Sequence, residues 1–226
     1  MCNKNCVRFA ESALTQQEIH DKKVLEVGSL AINGSLRPLL ESFKPKLYIG
    51  TDIFKGPGVD VICKAEDLMK TFHENSFDIL ISTELMEHVR DWRIVISNFK
   101  KLVKPDGTIL VTTRSPGFPY HGYPYDFWRY EVEDMQKLFS DCKIERLQKD
   151  PEKGVFIKIR KPKAFMETDL SDFELYSIIA NKRINQLNES DFIDFTRRNR
   201  LYQIRERLHP TVLIRFVQTS LFSISS

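Results

Sequence analysis

Short apolar segments alternate with amphipathic segments along the first two thirds of the chain. The apolar segments predict strands, and segments with apolar residues at helical spacing predict helices. Strands are expected at residues 23–27, 47–52, 59–62, 77–82, 108–113, 143–148 and 154–160. Helices are expected at residues 7–20, 36–43, 85–102 and 131–139. This alternation predicts a mostly parallel α/β sheet covered by helices on both faces.

The pattern changes after Lys161. Glycine is absent from residues 171–209, and apolar residues recur at helical intervals. Helices are expected at 171–182, 189–207 and 211–222. We therefore predict an α/β domain over residues 1–162 and a C-terminal helical extension over residues 163–226.

The end of this extension is unusually apolar, and two roles are open for it. It can pack on the domain or on a second subunit, which would make a homodimer. Alternatively, it can contact a membrane surface, because nearby arginines would face anionic head groups. These arginines are Arg197, Arg198, Arg200, Arg205 and Arg207.

Composition limits the class of protein. The chain has 226 residues, with 34 Lys and Arg against 31 Asp and Glu, so nucleic acid is not an expected partner. An apolar run of about 20 residues and an apolar leader segment are both absent from the sequence, which favours a cytoplasmic protein, with contact at the membrane periphery as the alternative. The four cysteines suit a reducing compartment. Cys2 and Cys6 are either spare thiols or two ligands of an incomplete metal site.

The residues after the first two predicted strands indicate a ligand site. Gly28 directly follows a strand, and a glycine there lets the backbone approach a ligand closely. Asp52 ends the second strand, where a carboxylate can accept hydrogen bonds from ribose hydroxyls. Glu26 lies within the first strand, and a cationic ligand would offset the cost of burying its charge. S-adenosylmethionine has a sulfonium, an ammonium and a ribose, and it fits this set.

A nicotinamide-dependent oxidoreductase is the alternative class of protein for the same succession of predicted strands and helices. Its fingerprint requires glycines at positions 28, 30 and 33. Positions 30 and 33 are Leu30 and Asn33 in this chain, so the pyrophosphate cradle is incomplete.

Over residues 20–148 the sequence resembles class I S-adenosylmethionine-dependent methyltransferases of the small-molecule type. The matching motifs are VLEVG (24–28), YIGTD (48–52), SFDILIS (76–82) with EHV (87–89), and LVKPDGT (102–108). NGSLR (33–37) and HGYPYDFWRY (121–130) resemble a subgroup of methyltransferases of glycan or polysaccharide assembly. The resemblance implies a Rossmann-like, doubly wound, seven-stranded sheet and S-adenosylmethionine as cofactor.

The resemblance also implies which residues bind the cofactor. They are Glu26, Gly28, Ser29, Asp52, Ile53, Ala65, Glu66, Thr83 and Glu84. Glu26 would lie near the ammonium and Asp52 at the ribose. Ile53 would flank the adenine, and Glu66 would accept from its exocyclic amine. Alternatively, Glu66 and Glu84 are charged residues on the protein surface that do not contact the cofactor.

Residues 114–130, here called the aromatic loop, follow the fifth predicted strand and are the candidate substrate site. The candidate substrate contacts are Tyr123, Tyr125, Asp126, Trp128 and Arg129. Alternatively, Asp126 and Arg129 pair with each other and the aromatic side chains pack under the loop. For a hydroxyl acceptor, His121 is the expected base, followed by His88, for which a packing role is the alternative. A carboxylate acceptor would need no base. The sequence shows no set of metal ligands, so we expect a metal-independent reaction.

The resemblance to the glycan-assembly subgroup implies O-methylation of a sugar, nucleotide-sugar or glycolipid. Methylation of another metabolite is an alternative, as is a non-catalytic scaffold that keeps the fold. RNA methylation is disfavoured because the α/β part of the chain lacks a strong basic excess.

Overall fold

A computed structural model describes residues 3–32, 34–122 and 125–207, in two compact units that meet between Asn185 and Gln186 in sequence. The strands are β1 (Lys23–Val27), β2 (Leu47–Asp52), β3 (Val61–Ile62), β4 (Phe77–Thr83), β5 (Val103–Arg114), β6 (Trp128–Arg129), β7 (Lys143–Asp150), β8 (Gly154–Arg160), β9 (Leu175–Ser177) and β10 (Lys182–Ile184). The helices are α1 (Lys4–Ala13), α2 (Gln16–Ile19), α3 (Arg37–Ser42), α4 (Leu68–Thr71), α5 (Trp92–Leu102), α6 (Val132–Leu138) and α7 (Glu189–Arg207). Short 3₁₀ turns cover Ala65–Asp67 and Met86–His88.

Seven strands form one sheet in the order β3-β2-β1-β4-β5-β8-β7. Neighbours from β3 to β5 are parallel, whereas β8 is antiparallel to both β5 and β7. The chain reverses its direction of travel across the sheet between β1 and β4. In such sheets the ligand crevice opens at this point, beyond the carboxyl ends of the strands. The predicted α/β, Rossmann-like, doubly wound sheet of seven strands is confirmed.

Both faces of the central strands are buried. Val24, Ile79 and Ile81 pack in one apolar cluster with residues of α1, α2 and α3. Leu25 and Leu80 alternate with them and are also fully buried, so they point to the opposite face, where α5 contacts β4 and β5. Burial on both faces is the reason why these strands are apolar at nearly every position.

The helix predicted at residues 171–182 is wrong. This segment contains β9 and continues into β10, and both strands belong to a second sheet of order β10-β9-β6. Leu175, Ser177 and Ile179 are buried at a spacing of two, which is the period of a strand. The partner strand β6 lies in the aromatic loop, with Trp128 opposite Ser177. The first compact unit therefore includes these strands and extends to Asn185.

In the second unit, α7 confirms the helix predicted at residues 189–207. Arg197, Arg198 and Arg200 are exposed on it. The helix predicted at 211–222 lies outside the described residues. Among the helices of the described part of the chain, none is both long enough and apolar enough to cross a membrane.

Candidate active site

The turn after β1 needs a glycine at position 28. Gly28 has a φ of +81°, in the left-handed region that glycine adopts without strain. A Cβ atom at this position would lie 3.1 Å from the Cβ atom of Leu85, so space is also limited. The amides of Gly28 and Ser29 both donate to the Thr51 carbonyl, at 2.8 and 3.0 Å. This turn joins the ends of β1 and β2 and forms the base of the crevice.

Glu26 is a buried acid beneath this turn. Its side chain is 2% exposed, and its Oε2 atom accepts a hydrogen bond from the Tyr48 hydroxyl at 2.6 Å. Burial raises the pKa of Glu26 to about 7, although the Tyr48 hydrogen bond opposes the shift. A cationic group bound nearby would stabilise the ionised form, so this carboxyl group fits an ammonium ligand.

Asp52 lies at the rim of the crevice, at the end of β2. Its carboxylate accepts from the amides of Leu30 at 3.3 Å and Phe54 at 3.1 Å. The side chain is half-buried, and beside it Ile53 is 45% exposed. A carboxylate that accepts hydrogen bonds, next to an exposed apolar side chain, fits a nucleoside. The carboxylate suits the ribose and the apolar side chain suits the flat base.

The segment after β3 is fixed by Asn98 of α5. The Asn98 side-chain amide donates to the carbonyls of Ala65 and Glu66, at 2.9 and 3.0 Å. Ala65 is buried, and the Glu66 side chain is half-buried. The contact between Glu66 and an adenine stays a prediction.

Thr83 and Glu84 are buried at the end of β4. The Glu84 carboxylate forms an ion pair with Arg114 and accepts from the Thr112 hydroxyl at 3.1 Å. Burial raises the pKa of Glu84, the nearby charge of Glu87 adds to the increase, and Arg114 opposes it. The surface-charge interpretation of Glu84 is therefore wrong. Its carboxylate binds Arg114 and Thr112 within the protein. This differs from the predicted role of Glu84 in contacting the cofactor.

Three side chains meet after β4: Glu87 and His88 of the 3₁₀ turn, and His121 of the aromatic loop. We call them the histidine cluster. Glu87 is fully buried, and its Oε2 atom accepts from the Thr113 hydroxyl at 2.8 Å. Its Oε1 atom lies 3.9 Å from Nε2 of each histidine. The two imidazole rings are 4.7 Å apart and meet edge to face. The sequence did not identify Glu87, although EHV after a predicted strand was the signal available.

His121 is oriented by Asp126. The Asp126 Oδ2 atom lies 3.1 Å from Nδ1 of His121 and accepts from the His121 amide at 2.7 Å. Burial would raise the pKa of Asp126, but hydrogen bonds from Arg129 and His121 lower it to about 2. An ionised carboxylate at Nδ1 favours the tautomer in which Nε2 carries a lone pair, as a general base requires.

Asp126 and Arg129 pair with each other, which was the alternative interpretation of their sequence pattern. The two guanidinium–carboxylate bonds measure 2.5 and 2.9 Å, and both residues are fully buried. Arg129 also donates to the carbonyls of Phe118 and Pro119. The predicted direct substrate contacts of Asp126 and Arg129 are corrected, because these groups bind each other and the loop backbone.

Trp128 requires the same correction. Its side chain is 1% exposed, and its indole Nε1 donates to the Arg90 carbonyl at 3.1 Å. It therefore packs under the aromatic loop. Tyr125 is 52% exposed and available to a ligand. Tyr123 lies outside the described residues.

Comparisons with known proteins give the family of this chain. A family model described as a methyltransferase domain matches residues 8–150. The chain is 26% identical over 104 residues to phosphoethanolamine N-methyltransferase 1 of Triticum aestivum, covering 42% of this chain and 20% of the relative. Phosphoethanolamine N-methyltransferase 3 of Arabidopsis thaliana is 24% identical over 104 residues, covering 43% and 21%. These matches span about a fifth of the length of the curated relatives.

Solved structures share the fold. A 1,6-didemethyltoxoflavin-N1-methyltransferase of Burkholderia thailandensis, with bound 1,6-didemethyltoxoflavin and S-adenosylhomocysteine, has a TM-score of 0.58 at 15% identity. The match covers 69% of this chain and 78% of that chain. An S-adenosylmethionine-dependent methyltransferase of Mesorhizobium loti has a TM-score of 0.53 at 14% identity, covering 68% and 96%.

Proposed function

Because the chain belongs to the methyltransferase-domain family, as a class I S-adenosylmethionine-dependent member, we propose that it methylates a hydroxyl of a sugar, nucleotide-sugar or glycolipid. The observation that carries this proposal is the pair formed by His121 of the histidine cluster and Asp126. A hydroxyl acceptor must lose its proton during the transfer, and an imidazole held by a carboxylate is suited to take that proton.

S-adenosylmethionine is the cofactor, and the residues of the crevice fit it. Glu26 would face its ammonium, Gly28 would let the backbone approach it, and Asp52 would bind its ribose. When bound, the cofactor supplies a methyl group already activated on a sulfonium sulfur. The remaining task of the protein is to hold the acceptor in line and to remove its proton.

In this proposal Nε2 of His121 accepts the acceptor proton, and Asp126 stabilises the resulting imidazolium. The half-exposed Tyr125 offers an aromatic face to a sugar ring. A lipid-linked acceptor would suit the exposed arginines of α7, which would then contact anionic head groups.

An amine acceptor is the second candidate. The two relatives from Triticum aestivum and Arabidopsis thaliana are phosphoethanolamine N-methyltransferases, and the buried carboxylate of Glu87 would attract an ammonium group. A panel of sugars, nucleotide-sugars, glycolipids and primary amines separates the two candidates when methylated products are identified by mass spectrometry.

The His121→Ala variant tests the base directly. We expect turnover to fall by roughly 10²–10⁴-fold while the affinity for S-adenosylmethionine stays unchanged. The exposed His20→Ala variant is the matched control. Wild-type turnover in His121→Ala, or methylation of amines alone, would contradict the proposal.

A further inference from the structure

The histidine cluster brings together three atoms of the kind that bind metal ions. One carboxylate oxygen of Glu87 and one imidazole nitrogen each from His88 and His121 lie within 4.8 Å of one another. An ion with bonds of about 2.1 Å holds its ligands roughly 3 to 3.4 Å apart. The three side chains would therefore have to move inward by about 1 Å to share one ion.

Both imidazole rings are oriented with Nε2 facing Glu87. Nδ1 of His88 lies in hydrogen-bond contact with the carbonyl of Tyr125, and this oxygen can only accept, so Nδ1 must carry the proton. Nδ1 of His121 faces the carboxylate of Asp126 at 3.1 Å. In the neutral rings, both Nε2 atoms then carry lone pairs. A carboxylate or carbonyl on the other nitrogen is the usual support of a metal-binding histidine.

Glu87 supplies a second, independent observation. Its side chain is fully buried, and among the described residues its Oε1 atom has no hydrogen-bond partner. Oε2 is fixed by the Thr113 hydroxyl, which directs Oε1 toward the two histidines. Three acceptor atoms that face one another without a donor between them leave a space suited to a cation.

The aromatic loop is anchored to the 3₁₀ turn that carries Glu87 and His88. The amide of Phe127 donates to the Glu87 carbonyl at 2.8 Å, and the Tyr130 hydroxyl donates to the Met86 carbonyl at 3.0 Å. Gly122 lies so close to His88 that an added Cβ would be 2.8 Å from its Cε1 atom. These contacts hold His121 against its two partners, so the three ligands are positioned by the fold.

We propose that Glu87, His88 and His121 bind one divalent transition-metal ion. Two imidazoles and one carboxylate are ligands typical of Zn²⁺ and Fe²⁺ sites that keep open positions for water or substrate. The expectation of a metal-independent reaction came from sequence spacing, which separates His121 from the Glu87–His88 pair.

The effect of the ion on catalysis rests on the proposed function. The binding of the ion to the three side chains does not depend on that function. An acceptor hydroxyl that coordinates the ion would release its proton to water more readily. Its oxygen would then form a bond to the methyl carbon as the bond between this carbon and the sulfonium sulfur breaks, and S-adenosylhomocysteine would leave. In the loaded protein, His121 would then act as a ligand, and its role as a base would apply to the metal-free protein.

Cobalt titration of the tag-free, chelator-treated full chain tests the site. Co²⁺ is added without S-adenosylmethionine or acceptor, and visible absorption reports coordination. We expect saturation at one ion per chain. Glu87→Gln should weaken binding at least tenfold, because it removes the anionic ligand and keeps the side-chain shape. His88→Gln, at a position whose side chain is 20% exposed, should have a similar effect.

The exposed His73→Ala variant is the control and should bind Co²⁺ as the wild type does. Three outcomes would overturn the metal site. The wild type could show no visible Co²⁺ bands, or it could show a charge-transfer band from a thiolate ligand. Folded Glu87→Gln or His88→Gln could also bind Co²⁺ with unchanged affinity. A bound ion together with a negative acceptor screen would reject the proposed methylation alone. The two proposals therefore fail separately.

Discussion

The cofactor crevice and the histidine cluster both lie beyond the carboxyl ends of the strands, but their polar groups are held differently. In the crevice, Asp52 accepts from two backbone amides, that of Phe54 two residues away and that of Leu30 in the turn after β1. Beside the cluster, Asp126 binds the side chains of His121 and Arg129, and His121 in turn faces Glu87 and His88. Backbone amides thus hold Asp52 in the crevice, whereas a buried side-chain network holds His121 in the cluster. We expect substitutions to change ligand affinity in the crevice and both stability and turnover near the cluster.

Loss of the Arg129 guanidinium should cause the largest change in stability. Arg129→Met leaves the fully buried carboxylate of Asp126 without its main partner, which typically costs about 3–5 kcal/mol. Urea denaturation measures this free energy of unfolding. Lys70→Ala is the control, because that lysine makes an exposed ion pair and its loss should have no measurable effect. A loss below about 1 kcal/mol for Arg129→Met would mean that the network does not hold the loop.

Glu26 should give the crevice a pH-dependent stability. Its folded pKa of about 7 lies above the ordinary 4.5, so the stabilisation is complete below pH 4.5 and is lost as pH rises through 7. The wild type should lose roughly 3 kcal/mol relative to Glu26→Gln across this range. Denaturation at several pH values measures the difference, and the exposed Glu11→Gln variant is the control. Parallel pH profiles for wild type and Glu26→Gln would refute the raised pKa.

Asp52 should affect ligand affinity with little change in stability. Asp52→Ala removes the carboxylate proposed to bind the ribose, and we expect at least tenfold weaker binding of S-adenosylmethionine, or about 1.4 kcal/mol. Isothermal titration calorimetry measures the affinity. Asp169→Ala removes an exposed carboxylate and should bind normally. Equal affinity of Asp52→Ala and the wild type would remove Asp52 from the site.

Gly122 tests whether the position of His88 matters for turnover, because a second glycine in the same loop, Gly117, serves as a matched control. Gly117 and Gly122 have φ values of +90° and +67°, so alanine should cost each about 1 kcal/mol in stability. An added Cβ at position 122 would also push on His88, whereas at position 117 it would meet the Lys153 side chain at an ordinary 3.5 Å. We expect Gly122→Ala alone to lower turnover. Equal turnover in both variants would show that the position of His88 is not critical.

The crevice could be predicted because its determinants are close together in sequence. The order of strand, Gly28 and strand-ending Asp52 predicted the residues that the fold brings to one edge. The strand order itself follows from apolar segments that are buried on both faces. The helix predicted at 171–182 failed because its strand partner is β6, about 50 residues earlier, and this pairing selects the extended conformation.

The sequence by itself determined the α/β class, the sheet and the position of the cofactor crevice, because hydrophobic periodicity and strand-end residues act over a few positions. Only the tertiary structure decided how the histidine cluster is built. It placed His121 beside Glu87 and His88 and turned Asp126 and Arg129 inward to each other. The contacts of His121 with Glu87 and His88 depend on the loop folding back across the ends of β4 and β5, which brings together side chains that are distant in sequence. Because Glu87, Asp126 and Arg129 are buried, their contacts contribute strongly to the free energy of unfolding, since a buried polar group without a partner is costly.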